Sequence, residues 1–265
     1  KNHPFQRVSW DQALDRAALI FKKMIADHGP ESVAFYVSGQ CLTEEYYIIN
    51  KLVKGFIGSN NIDTNSRLCM SSAVVGYKDT FGEDSVPLSY DDIELADTFF
   101  ISGANPAWCH PILFRRIEKH KEKNPNVKII VVDPRVTNSV ALADTHLQLT
   151  PGTDTVLYNV LNRLLIEMGA ADYKFIDKHT EGFAEYKDLI FKTSLREAAE
   201  ICGLTQQSIV DVAQQMARSK GLITMWAMGL NQSAVGVDKN YALINISLIT
   251  GKIGKPGNGP FSLTG

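Results

Sequence analysis

The sequence predicts an α/β fold with mainly parallel sheets flanked by helices. Short apolar runs of strand length alternate with longer segments whose apolar residues recur at helical spacing, and turn residues separate them. This alternation is typical of parallel strands that are connected by helices. The chain has 265 residues, of which 45% are hydrophobic and 21% are charged. That size and composition fit one large or two ordinary globular domains.

Each element is predicted from its period and from the residues that begin and end it. Ser9 and Gln12 have the spacing of a capping box at the start of the first helix, which stops before His28-Gly29-Pro30. The predicted strands are 33–37, 98–101, 127–132, 147–149 and 222–227. The predicted helices are 10–27, 43–56, 69–81, 111–121, 155–168, several within 172–219, and 240–249.

The net charge and the cysteine content argue against several classes of function. A formal net charge of −2 gives no sign of a basic surface for nucleic acid. No apolar run approaches the ~20 residues that a transmembrane helix needs. The four cysteines, Cys41, Cys69, Cys109 and Cys202, include no close pair. This argues against a zinc site or a disulfide framework and fits a reducing compartment.

Cys69 is the first candidate for chemistry. It follows the polar run 62–65 and opens a segment with helical spacing. A helix N-terminus and the nearby Arg67 both favour the thiolate, which is the form that binds a metal or attacks an electrophile. A small buried core residue is an equally good interpretation of the local sequence.

Further candidates lie where the predicted strands end, because ligands collect there in open parallel sheets. Gly39 lets the backbone approach a ligand, and Gln40 offers an amide donor and acceptor; an ordinary strand-to-helix turn explains them equally well. Gly103 and Asn105 follow another strand, where a loop and a helix N-terminus can hold pyrophosphate. A complete G-x-G-x-x-G is absent, so an NAD fingerprint is not supported.

Two carboxylates at strand ends suit a nucleobase. A carboxylate can accept two N–H groups from the Watson–Crick edge of guanine, and Asp133 and Asp154 are placed to do so. Taken alone, each is better explained by its structure, since Asp133 can form a turn before Pro134 and Asp154 can lie in the first turn of a helix. Met228, after the strand 222–227, is better explained from the sequence alone as a core side chain.

The order of these segments resembles that of the cysteine-ligated molybdenum oxidoreductases that carry two pyranopterin guanine dinucleotides. Within them the chain is most similar to the catalytic subunit of the assimilatory, cytoplasmic nitrate reductases. The segments that carry the resemblance are Ser38-Gly39-Gln40, the run 63–72 around Cys69, the run 103–111, Val132-Asp133-Pro134-Arg135, Pro151-Gly152-Thr153-Asp154, the run 228–232 and the run 250–257.

The resemblance implies a set of site residues. Cys69 would be the protein ligand of molybdenum, and Met70 would help to line the substrate pocket. The cofactor contacts that it implies are Gln40, Asn65, Cys69, Gly103, Ala104, Asn105, Asp133, Pro134, Arg135, Gly152, Thr153, Asp154, Met228 and Gln232.

The resemblance also implies two Rossmann-like lobes. Residues 65–220 would form a continuous dinucleotide-binding-like lobe, and residues 1–64 together with 221–265 a discontinuous one. The clustered cysteines of the family's 4Fe-4S module are absent from the sequence. We therefore expect an internal fragment of a longer protein, which by itself binds cofactor poorly and shows no turnover.

The implied function is the reduction of nitrate to nitrite by oxygen-atom transfer at a Cys-ligated Mo-bis(molybdopterin guanine dinucleotide) centre. The protein would be cytoplasmic, and its electrons would come from ferredoxin, flavodoxin or an NAD(P)H-linked reductase subunit. No cationic residue for nitrate can be named, because residues 232–237 contain no arginine.

Three alternatives stay open. A formate dehydrogenase has the same architecture but a histidine where Met70 stands, and a non-catalytic subunit of a redox complex would keep the fold without molybdenum. A Cys-nucleophile hydrolase would need a histidine base near Cys69, for which His110 is the candidate.

Overall fold

The computed structural model describes residues 5–263, and its parallel strands flanked by helices confirm the predicted α/β class. By their internal contacts the residues divide into two units, Lys1–Leu68 and Cys69–Gly265. Each unit is described by itself below. Within residues 5–263, no helix is both long enough and apolar enough to cross a bilayer.

The first unit contains a two-stranded parallel sheet and two longer helices. Its elements in chain order are helix α1 (Trp10–His28), a 3₁₀ turn (Pro30–Ser32), strand β1 (Phe35–Val37), helix α2 (Thr43–Asn50), a π-helical turn (Lys51–Ile57) and strand β2 (Ile62–Thr64). Because β1 and β2 run in parallel, with Val37 opposite Thr64, their carboxyl ends lie side by side.

Helix α1 is held mainly by local interactions. The predicted capping box is confirmed, since Ser9 Oγ accepts from Gln12 N at 3.2 Å and Gln12 Oε1 accepts from Ser9 N at 3.0 Å. No residue of the helix is buried. Leu14 and Leu19, for example, are 61% and 62% exposed. The apolar side chains of α1 therefore contribute little burial to the stability of this unit.

The second unit is built on a five-stranded parallel sheet with the strand order β5-β4-β3-β6-β7. The strands are β3 (Thr98–Ser102), β4 (Lys128–Val132), β5 (Thr145–Leu147), β6 (Leu222–Trp226) and β7 (Gly259–Ser262). The helices are α3 (Ser66–Phe81, which begins in the first unit), α4 (Pro106–Cys109), α5 (Pro111–Lys123), α6 (Asp154–Glu167), α7 (Tyr173–His179), α8 (Phe183–Ile190), α9 (Leu195–Cys202), α10 (Gln206–Arg218), α11 (Met228–Asn231) and α12 (Gly236–Ile249), with 3₁₀ turns at Tyr90–Leu95 and Asn138–Leu142.

The central strands of this sheet are covered on both faces. Every residue of β3 is buried, as expected for an apolar run in a parallel sheet. Side chains alternate between the faces: Phe100 packs in one cluster with α6 and α12, whereas Phe99 and Ile101 pack in another with α5. The two clusters give the sheet a rigid core, from which the loops at its carboxyl edge project.

The contact units group the chain differently from the predicted lobes, whose boundaries stay a prediction. The first predicted boundary, between residues 64 and 65, lies close to the observed one between Leu68 and Cys69. Residues 221–265 were expected to join residues 1–64. Strands β6 and β7 instead pair with each other, and β6 pairs with β3, so that this segment belongs by contact to the second unit. Strand pairing between distant segments decides this grouping, and residue patterns do not reveal it.

Tyr77 links helix α3 to strand β7 by hydrogen bonds and makes the stability of the second unit depend on pH in the alkaline range. Its Oη donates to the carbonyl oxygen of Pro260 at 3.2 Å and accepts from Ser262 N at 2.9 Å. Burial raises the pKa of the Tyr77 phenol to about 12, although the hydrogen bonds from Ser262 oppose the shift. Because this pKa is raised in the folded state, the corresponding stability is complete below pH ~10 and is lost as the pH rises towards 12.

We therefore expect Tyr77→Phe to flatten the fall in unfolding free energy between pH 10 and 12, by about 2 kcal/mol across the range. Denaturant titrations at a series of pH values measure the unfolding free energy of each protein. Tyr90→Phe, at a tyrosine that is 59% exposed, is the control and should leave the slope as it is in the unmodified protein. Equal slopes for all three proteins would contradict the prediction.

Candidate functional site

A cleft of about 360 Å³ lies at the carboxyl edge of the five-stranded sheet. Strands β3, β4 and β6 end flush there, since Ser102 is the register partner of both Val132 and Trp226. The predicted contact residues that line the cleft are Gly103, Ala104, Asn105, Asp133, Pro134, Arg135, Gly152, Asp154 and Met228. The fold thus brings together residues that come from four separate segments of the sequence.

A second depression, of about 580 Å³, lies at the opposite edge of the same sheet and includes Thr98 and Lys128. It contains none of the predicted residues. In open parallel sheets ligands bind at the carboxyl ends of the strands. Position therefore favours the smaller cleft as the functional site, despite the greater volume of the other.

The loops after β3 and β6 meet at the floor of the cleft. Gly229 N donates to the Gly103 carbonyl at 3.0 Å, and a Cβ on Gly229 would lie 2.7 Å from Gly103 Cα. Gly103 has φ +56, and a Cβ there would lie 2.5 Å from Leu230 Cδ1. Both glycines are therefore required by the close approach of two backbone segments.

Asp133 is fixed in a tight turn directly after β4. It is buried, its Oδ1 accepts from Arg135 N at 2.8 Å, and Arg135 Nε lies 3.9 Å from the same oxygen. The Arg135 side chain is 77% exposed. The turn before Pro134, which was the structural alternative for Asp133, is therefore present. It places a carboxylate and a guanidinium among the groups that line the cleft.

Asp154 and Lys239, which also line the cleft, form a buried ion pair. Asp154 is the first residue of α6, and its Oδ2 lies 2.7 Å from Lys239 Nζ. Only 11% of the Asp154 side chain and 4% of the Lys239 side chain are exposed. Sequence reasoning did not identify Lys239. The available signal was a lysine within a largely apolar helical run, because lysine is almost never buried unless it is paired.

Cys69 lies beside the cleft without being sealed in the core. Its Sγ is 3.6 Å from Met228 Sδ, and Met228 lines the cleft. The Cys69 side chain is partly exposed. Met70, the next residue, interrupts helix α3 with φ −134 and ψ 18. Met70 itself packs against the larger hydrophobic cluster.

The other predicted residues lie outside this cleft. Thr153 is the N-cap of α6, and Gln232 is exposed at the end of α11. Gln40 and Asn65 belong to the first unit, where Asn65 Oδ1 accepts from Gly39 N at 2.5 Å and so joins the loops after β1 and β2. The Arg67 side chain, which was expected to favour the Cys69 thiolate, lies outside the described part of the structure.

Two other kinds of chemistry, a metal site built from side chains and a cysteine hydrolase, can be compared with the contacts of residues 5–263. Across residues 5–263, no three His, Cys, Asp or Glu side chains are grouped as a metal site. The Cys69 Sγ contacts the thioether of Met228. A thioether is not a base at neutral pH, so this contact gives no support to a nucleophilic cysteine activated by a neighbouring base.

Comparison with known proteins identifies the family. Residues 1–264 match the family model described as Molybdopterin oxidoreductase. A "Nitrate reductase" of Synechocystis sp. is 44% identical over 264 residues, which are 100% of this chain and 37% of that protein. A "Periplasmic nitrate reductase" of Desulfovibrio desulfuricans is 43% identical over 100% of this chain and 36% of its own length.

A solved structure supports the same relationship. "Acetylene Hydratase from Pelobacter acetylenicus" superposes with a TM-score of 0.66 at 27% sequence identity, covering 93% of this chain and 33% of that one. The chain therefore spans about a third of the length of each of these relatives. With a family model that matches residues 1–264, the chain belongs to the molybdopterin oxidoreductase family.

Proposed function

We propose that this chain is part of an assimilatory nitrate reductase, in which it holds one nucleotide end of a Mo-bis(molybdopterin guanine dinucleotide) cofactor. The observation that carries the proposal is the cleft at the carboxyl edge, which two buried carboxylates, Asp133 and Asp154, both line and which Cys69 adjoins through Met228. The choice of nitrate rests on the relatives named nitrate reductase.

The residues of the cleft fit a nucleotide. Its volume of about 360 Å³ is at the lower end of the ~300–1,000 Å³ typical of ligand sites, which suits one nucleotide rather than two complete dinucleotides. Gly152, at φ +90, has no atom within 4 Å of the position that a Cβ would occupy. The loop before α6 thus leaves open space beside Asp154.

The residues would divide the binding as follows. Asp154 would accept N–H groups of guanine, and Arg135 would pair with a phosphate or hydroxyl group at the exposed side. Gly103, Ala104 and Asn105 would present the loop after β3 to the pyrophosphate. Ser139 Oγ donates to Asn105 Oδ1 at 2.7 Å and thereby orients that side-chain amide. Pro134, Thr153 and Gln232 would be peripheral contacts. Gln40 and Asn65 stay predicted cofactor contacts on the strength of the resemblance alone.

Cys69 would supply the thiolate that ligates molybdenum, since soft thiolates suit such sites. Met228 packs against its sulfur, which keeps Sγ in a defined position. The helix break at Met70 separates Cys69 from the regular part of α3. When bound, the cofactor supplies the two-electron oxygen-atom transfer that turns nitrate into nitrite. Met70 would act at the substrate pocket.

The rest of the proposal concerns parts beyond this chain. Electrons would arrive through a 4Fe-4S cluster from ferredoxin, flavodoxin or an NAD(P)H-linked reductase subunit. The proposed compartment is the cytoplasm, where the free cysteines would remain reduced. Cell fractionation checks this placement, because one relative is named as periplasmic.

The test is nitrate turnover by the full-length reductase that contains this chain, purified with its cofactor. With a reduced viologen dye as electron donor, nitrite should form at two electrons per nitrate, and acid hydrolysis should release GMP along with molybdenum. Formate oxidation in place of nitrate reduction would favour the formate dehydrogenase alternative. Molybdenum without GMP would exclude the guanine dinucleotide form, and the absence of both would favour a non-catalytic subunit.

A further inference from the structure

Lys239 is a buried cation in the cleft whose hydrogen-bonding capacity is only partly used. Its ammonium group has three N–H donors. Among the residues that the structure describes, Asp154 is the one partner of Nζ, at 2.7 Å. The side chain is 4% exposed, so water has little access to the remaining donors. A buried donor without an acceptor is unfavourable, and this one lies in the wall of a ligand cleft.

The pair therefore offers a ligand two kinds of contact side by side. Asp154 accepts hydrogen bonds, and Lys239, whose Nζ is 2.7 Å away, donates them. A ligand group that satisfies both must carry an acceptor next to one or more donors. The Watson–Crick edge of guanine has this order, with the O6 acceptor beside the N1–H and N2–H donors.

We propose that Lys239 is a specificity-determining residue that donates a hydrogen bond to O6 of guanine while Asp154 accepts from N1–H and N2–H. This inference rests on the proposed function, since it concerns the guanine end of the proposed cofactor. Adenine also has an acceptor, N1, beside its N6–H donor, but it has only one donor group on this edge, so Asp154 would lose one of the two hydrogen bonds that guanine offers it. A site with buried polar groups discriminates strongly against ligands that fail to pair them.

The first test uses the unmodified full chain, free of cofactor, and ligand-detected NMR. Guanosine carries no phosphate, and 6-thioguanosine keeps N1–H and N2–H but replaces O6 with sulfur, a weak acceptor. Guanosine should bind roughly tenfold or more tightly than 6-thioguanosine, and adenosine should bind weaker still. Equal affinities for guanosine and 6-thioguanosine would overturn the assignment of Lys239 to O6, whatever the variants do.

The second test asks whether Lys239 is responsible for that preference. In Lys239→Met the preference for guanosine over 6-thioguanosine should disappear, and the cofactor-loaded protein should retain less GMP per polypeptide. Lys121→Met is the matched control, because Lys121 is also paired with an aspartate, Asp144, but lies away from the cleft. Its loss should lower the melting temperature and leave the preference intact.

The remaining outcomes separate this inference from its alternatives. If Lys239→Met weakens binding of GMP and inorganic pyrophosphate but not of guanosine, Lys239 contacts a phosphate and the inference is wrong. If Lys239→Met still prefers guanosine over 6-thioguanosine, another group donates to O6 and the inference is again wrong, although the proposed function stands. If the unmodified protein binds no guanosine and releases no GMP, the proposed cofactor itself fails.

Discussion

On the proposed function, Cys69→Ser should abolish nitrate reduction and remove molybdenum from the purified full-length reductase that contains this chain. A serine hydroxyl remains protonated at neutral pH and is a hard ligand, whereas the thiolate is the soft ligand that this type of site favours. Changes to groups that merely support a metal ligand typically cost 10–100-fold, so loss of the ligand should cost about a hundredfold or more. Elemental analysis and nitrite formation, measured on the same preparation, test both parts of the expectation.

The structure provides a matched control for this variant. Cys41 is also a partly exposed free cysteine, and it has no assigned role in the site. Cys41→Ser should therefore retain both molybdenum and activity. Full activity and metal content in Cys69→Ser would remove the metal-ligand assignment. Retained metal with lost activity would instead show that the sulfur acts on the substrate side.

Gly229→Ala should destabilise the second unit and damage the cleft at the same time. The added Cβ would lie 2.7 Å from both Cα and the carbonyl oxygen of Gly103, and these backbone atoms cannot rotate away as a side chain would. The clash can be relieved only if the two loops move apart, and this movement breaks the hydrogen bond from Gly229 N to the Gly103 carbonyl oxygen. We expect a loss of roughly 2 kcal/mol or more in unfolding free energy, together with a lower GMP content.

Gly55→Ala separates this steric effect from the general effect of replacing a glycine. A Cβ on Gly55 has no neighbouring atom within 4 Å, and Gly55 lies in the helical turn Lys51–Ile57. This substitution should be neutral or stabilising by about 0.5–1 kcal/mol. Thermal or denaturant unfolding of both variants measures their free energies of unfolding and so tests both expectations. A Gly229→Ala protein as stable as the unmodified one would show that the two loops are not held as closely as the structure indicates.

Much of the second unit was predictable because its strands carry their own signal. The runs 98–101, 127–132 and 222–227 are apolar, of strand length and followed by turn residues, and they correspond to β3, β4 and β6. Helix 155–168 was likewise predicted to within a residue at each end of α6. Strands that are buried on both faces of a parallel sheet are continuous apolar runs, and such runs are readily identified in a sequence.

The missed strands show where that reasoning fails. Strand β7, Gly259–Ser262, contains glycine and proline, which disfavour strands except at edges, and β7 is the edge strand next to β6. Strand β2, Ile62–Thr64, is three residues long and was interpreted as a turn-rich stretch. Both strands exist because a partner strand is available, and local propensity contains no information about that partner.

The candidate site was predictable to the same degree. Residues at the ends of β3, β4 and β6 were placed by the rule that ligands bind at the carboxyl edge. Lys239 was missed because its significance depends on Asp154, a residue far away in sequence that only the packing of α6 against α12 brings within 2.7 Å. The kink at Met70 was missed as well, since helical spacing continues through it.

The uncovered helix α1 bears on how any stability measurement of this chain is to be interpreted. A helix with no buried residue can open and close while the five-stranded sheet remains intact. Far-ultraviolet circular dichroism would register that opening, whereas the emission of the completely buried Trp226, measured with Trp10 of α1 and Trp108 replaced by phenylalanine, would not. A single melting temperature therefore does not describe the chain, and the free energies expected for Tyr77 and Gly229 refer to the sheet-centred transition alone.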